Sequence, residues 1–211
     1  MKCRGRSRRR GIAVVEFSLS LVFLVPLLLG TFVFGFRLIR SLEMEQIVRD
    51  LGHMYVRGVD FRNAGPIQNA QTLASGYDLS NSGTSVLIFS QIRVVTQADC
   101  DAANPTRPRG TPCTNLNLPV FAEQLTVGNS SLTIGGRAAR SVFGTPPVTA
   151  NKTVTAVNQA NNSSAAANGF GAVLALQTGE LAYLVEMYNA TPELNIPGLS
   201  GSPQVYAKSV F

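Results

Sequence analysis

From Ile12 to Phe36 the chain reads IAVVEFSLSLVFLVPLLLGTFVFGF, an apolar run interrupted by a single charge, Glu16. At 1.5 Å per residue a helix of that length extends about 37 Å, enough for the roughly 30 Å hydrocarbon core of a bilayer. The pattern therefore predicts a transmembrane helix over 12–36. After Arg37 it becomes amphipathic. Leu38, Leu42, Met44, Ile47, Val48, Leu51, Met54 and Tyr55 recur at three- and four-residue spacings, with Arg40, Glu43, Glu45, Arg49 and Asp50 between them. This predicts a stem helix over 37–58 that stops at Gly58, either continuous with the membrane helix or separated from it by a break near Gly35.

Residues 59–211 are more polar and glycine-rich, with short strand-like runs. Pro66 and Gly76 bracket a short helix over 66–76. SVLIFSQIRVVTQ (85–97) has the β-branched, partly alternating character of a strand. LPVFAEQLTVGNSSLTIGG (118–136) reads as two strands joined by a GNSS hairpin turn, and NNSSAAANG (161–169) as a soft, linker-like loop. GELAYLVEMYN (179–189) fits a central strand or a helix; its valine and two tyrosines, between Gly179 and Asn189, favour the strand. QVYAKSVF alternates and predicts a last strand near a sheet edge. The expected fold class is α+β: a long N-terminal helix, transmembrane and then amphipathic, carrying a small antiparallel sheet domain over 59–211.

Charge changes this picture only at one end. The chain has 18 Lys+Arg against 12 Asp+Glu, a formal charge of +6. Lys2, Arg4, Arg6, Arg8, Arg9 and Arg10 all precede the first acid, so the excess belongs to a basic leader over 1–11 and the rest is formally neutral. No basic stripe interleaved with aromatics marks the body, which argues against nucleic acid as a partner. The leader's cations before the apolar run, against Arg37 and Arg40 after it, place the N-terminus in the cytoplasm and the body across the membrane.

Candidate chemistry is sparse. Cys100 and Cys113 flank CDAANPTRPRGTPC, a proline-rich loop that a disulfide would close. Closure would stabilise by about 3 kcal/mol and persists only outside the cytoplasm; the alternative is two unrelated buried thiols. Cys3 lies in the leader. The single histidine, His53, falls on the stem, too far from the cysteines for zinc and without the partners of a Ser-His-Asp set. Asp99 and Asp101 fall well short of a calcium shell. No enzyme, cofactor or metal is expected. Asn129, Asn151, Asn162 and Asn189 begin N-x-S/T triplets and are expected to be ordinary turn residues.

Glu16 is the exception. A lone carboxylate in lipid is costly, and a plain anchor offers nothing to offset it. A cut after Gly11 would leave Ile12 with a free ammonium one helical turn before Glu16, at the positive end of the helix dipole. RRRG followed by IAVVEF, and then the apolar run, resembles the type IV prepilin signature. Residues 8–40 are most similar to TadE-like pseudopilins of the tight-adherence (Tad, Flp) pilus family. The resemblance implies processing between Gly11 and Ile12 by a prepilin peptidase, with Glu16 serving in processing or in pairing with a subunit's amine. It implies as partners the inner membrane, other pilin-like subunits and the Tad assembly platform, and a role in pilus assembly and surface adherence. Ile12 in place of phenylalanine, and Pro26, depart from major pilins and point to a minor subunit. The competing expectation is an uncleaved signal anchor bearing an extracytoplasmic binding module.

Overall fold

The computed structural model describes residues 8–134, 136–190 and 204–211. The chain divides into two units, Met1–Arg40 and Ser41–Phe211. Helix α1 (Arg8–Val56) has no break at Gly35, with Pro26 inside it. Its end is a Schellman cap. The Gly58 amide donates to the Tyr55 carbonyl at 3.0 Å and the Val59 amide to the Met54 carbonyl at 3.1 Å. Gly58 takes the required left-handed conformation, φ +85°. Gly58 thus lies just past the last helical residue, where the stop was expected.

In the second unit four strands form one antiparallel sheet: β1 (Ser85–Val94), β2 (Pro119–Gly128), β5 (Leu181–Ala190) and β6 (Gln204–Val210), in the order β2-β1-β5-β6. The fold is α+β, and 181–190 is a strand rather than a helix. Between these lie α2 (Ala64–Leu73), α3 (Gln97–Ala103), the two-residue strands β3 (Thr133–Ile134) and β4 (Arg137–Ala138), and α4 (Ala156–Asn161).

Strand alternation divides the side chains between two faces. Leu87, Phe89, Leu125, Val127, Val185, Met187, Val205 and Ala207 pack with Met44, Val48, Leu51 and Tyr55 of α1 and with Phe61, Ala70 and Ala74. Phe61 stacks on Phe89 with ring centroids 4.3 Å apart, and Tyr55 meets Phe61, Phe89 and Tyr183 edge-on. The opposite face has Val86 and Ile88 under Leu132, Ile134 and Ala139, and Ile92, Phe121, Ala182 and Leu184 under Phe143, Val154 and Phe170. A bulge in β2 opposite Gln91 and Ile92 lets Phe121 and Glu123, two positions apart, serve opposite faces. The stem's apolar stripe is shorter than expected: Leu38 and Leu42 are exposed, Leu42 to 60%.

Four expectations are corrected. The GNSS turn does not join a hairpin, because β2 pairs with β1 and the strand after the turn, β3, pairs with β4. Asn129 instead folds the turn on itself, accepting from Ser131 and donating to the Gly83 carbonyl. Residues 161–169 are not a soft linker: Ala165 and Ala167 are buried in the core, and the Ala167 amide bonds the Pro119 carbonyl at 2.9 Å. Polar composition concealed three small apolar side chains suited to a tight approach. The cysteine loop is not irregular throughout, since Cys100 sits on α3. Of the asparagine triplets, Asn189 is no turn residue; it is buried in β5 and accepts from the Ser85 hydroxyl at 2.8 Å.

Candidate membrane and processing segment

Residues 8–40 form the first thirty-three positions of α1, and the side chains described there are mostly open to the surroundings. Phe17, Val22, Phe23, Leu27 and Phe34 are each about two-thirds exposed. The stretch is long and apolar enough to cross a membrane once. Its three hydroxyl side chains bond the helix's own backbone. The Ser18, Ser20 and Thr31 hydroxyls donate to the carbonyls of Val14, Glu16 and Leu28 at 2.9, 3.0 and 2.8 Å, which suits hydroxyls in lipid. Pro26 cannot donate to the Val22 carbonyl, so the helix is locally weaker there.

The residues expected to flank a processing cut lie on this helix. Gly11 and Ile12 are in its first two turns, and Gly11 is a poor helix former in that position. No acid stands in the first turn, which Arg8, Arg9 and Arg10 open; cations there oppose the helix dipole. Glu16 lies on the exposed surface among Val14, Val15, Phe17 and Leu19. The rest of the expected leader, with Lys2, Cys3, Arg4 and Arg6, lies outside the described residues.

In the second unit Cys100 and Cys113 are joined by a disulfide with Cα atoms 5.3 Å apart. The two acids beside it are structural. Asp99 closes a capping box with Thr96 and pairs with Arg93. Although partial burial opposes ionisation, Arg93 and Thr96 hold its carboxyl below the usual range. Asp101 accepts from the Gln97 side chain and the Gly110 amide, both at 3.0 Å. Asn104 and Asn161 exchange side-chain hydrogen bonds that tie α3 to α4. His53 is exposed and packs edge-on against Phe211, centroids 4.9 Å apart. Among the described residues no group of three or more His, Cys, Asp or Glu is placed to hold a metal.

Two acids that sequence reasoning passed over are the notable polar sites. Glu123 is nearly buried and pairs with Arg62. Glu186 is fully buried in mid-strand on the face away from α1. Alternation within AYLVEM already placed Glu186 on one face with Ala182 and Leu184, a legible signal of burial. No family model, no characterised protein and no solved structure matches this chain.

Proposed function

We propose that this chain is a minor pilin-like subunit, a TadE-like pseudopilin, processed after Gly11 and taking part in Tad/Flp pilus assembly and surface adherence. One observation carries the reading. A single helix combines Gly11, Glu16 in an exposed apolar surface, and a stem that packs under an antiparallel sheet. A plain anchor has no use for the carboxylate.

In this reading the leader stays at the cytoplasmic face of the bacterial inner membrane and the body is periplasmic, where its disulfide persists. A membrane-embedded prepilin peptidase cuts between Gly11 and Ile12. The cut removes the six leader cations, including the three arginines that oppose the helix dipole, and brings Glu16 into the first turns of the mature helix. The Ile12 ammonium then neutralises Glu16, on the same chain or on a neighbour. A pair made between chains fixes the axial stagger of adjacent helices, since an unpaired carboxylate in lipid is costly. Other pilin-like subunits and the assembly platform are the partners.

The test is N-terminal sequencing of the protein from its bacterial host. A start at Ile12 supports the pseudopilin. A functional protein that still begins at Met1 replaces it with the uncleaved anchor bearing an unrelated binding module.

A further inference from the structure

Glu186 is the one fully buried ionisable side chain in the described sheet, and residues 139–144 lie over it. Its Oε1 accepts from the Val142 amide at 3.1 Å and from the Tyr206 hydroxyl at 2.8 Å; its Oε2 has no hydrogen-bond partner. The same segment is held at two neighbouring points. The Tyr188 hydroxyl donates to the Arg140 carbonyl at 2.8 Å, and Lys208 Nζ sits 5.0 Å from the Phe143 ring centroid. Ala139, Ser141 and Phe143 face inward, while Val142 is 52% exposed. The segment is thus a narrow strap whose central backbone bond ends on a carboxyl group.

We propose that residues 139–144 are a proton-controlled strap, closed while Glu186 is neutral and released when it ionises. A neutral carboxyl keeps both hydrogen bonds at Oε1 and buries no charge. A carboxylate in the same place would be favoured by Val142, Tyr206, Ser141 and Lys208, but it buries a full charge in a side chain closed to solvent, and that desolvation is the larger influence. Release admits water to it.

The surrounding groups set the balance. From β6, Lys208 stands opposite Glu186 in register and favours the ion, and Tyr206 donates to it. From β5, Tyr188 lies on the same face, its own hydroxyl pushed up to about 12 by burial and then by Glu186. The strap contributes Ser141 and the backbone of Val142, with Arg140 exposed; β1 presents only Ile88 opposite. Burial outweighs these influences and holds the Glu186 carboxyl above its ordinary range. A group raised in the closed state stabilises that state fully below its ordinary value, about 4.3, and loses this as pH rises towards the raised value.

The test is hydrogen exchange of the peptide spanning 139–144, on the full chain in detergent micelles, from about pH 4 to about pH 8. Protection is expressed relative to the intrinsic exchange rate at each pH. It should fall by up to about tenfold per pH unit above about 4.3 and then level off, while Glu186→Gln stays flat. Constant protection in the wild type, or a parallel fall in Glu186→Gln, overturns the proposal. Should that variant not fold, carbon NMR of the wild-type Glu186 carboxyl decides. A midpoint coinciding with the levelling of Val142 protection supports the strap; an ordinary glutamate midpoint overturns it.

Discussion

The Phe211 ring occupies the space that a side chain on Gly52 would need. A Cβ built at that position collides with three atoms of the ring. Phe211 is held there by paired backbone bonds with Tyr183, both 2.9 Å, and by the edge of His53. Glycine in a helix interior normally costs about 0.5–1 kcal/mol relative to alanine. Here the glycine is a socket. Gly52→Ala should destabilise the full chain by about 1 kcal/mol, whereas in a Phe211→Ala background it should stabilise by about the propensity difference. Urea unfolding of the four variants reads this directly, and the same sign in both backgrounds would exclude the socket.

The disulfide closes a separation of 13 residues. In the chain-entropy account Cys100→Ser with Cys113→Ser should lower the stability of the second unit by about 3 kcal/mol. The loss should be visible as a lower urea midpoint with little change in slope. Unchanged stability would mean that the Asp101 bonds and the Asn104–Asn161 pair already hold the loop.

Asp99 gives a pH signature opposite in sign to that of Glu186. Its carboxyl is held below the ordinary value, so its contribution is present above about pH 4 and is lost as pH falls through the lowered value. Exchange of the α3 amides should accelerate in acid. Asp99→Asn should cost about 1 kcal/mol near neutrality, the scale of a lost cap, and flatten that acid response. An acid response that persists in the variant assigns it elsewhere.

Glu123 pairs with Arg62 on the α1 side of the sheet, where only the arginine reaches solvent. Removing one partner leaves a nearly buried carboxylate alone, so Arg62→Ala should cost about 2–3 kcal/mol. The double variant Arg62→Ala with Glu123→Leu should recover part of it. Thermal unfolding that ranks the double variant below the single one contradicts this pairing.

Glu16→Val tests the assembly reading. Processing at Gly11 should continue or slow, while co-assembly with other pilin-like subunits is lost. Normal piliation in a host carrying only that variant would show that no amine needs the carboxylate.

What the sequence disclosed followed periodicity and local stop signals. The 12–56 helix, its end before Gly58, and the strands at 85–94, 181–190 and 204–210 are each written in a short window. What it withheld depends on distant partners. Nothing near Gly52 announces Phe211, and nothing in NNSSAAANG says that Ala165 and Ala167 fill space beneath β2. The GNSS misreading has the same cause: local turn chemistry was right, but β2 takes its partner from upstream. The contacts over Glu186 join segments more than forty residues apart, beyond the reach of any local pattern.

The sheet order also dictates a timetable. The central strand β1 waits for β5, about a hundred residues downstream, and the cover over the face of α1 that bears Met44, Val48, Leu51 and Tyr55 is not complete until Val205 and Ala207 arrive. A chain emerging from its N-terminus therefore leaves part of this greasy stripe uncovered until its last strand is made. Any factor that escorts it during synthesis has one obvious place to hold, and that place is the last to be covered.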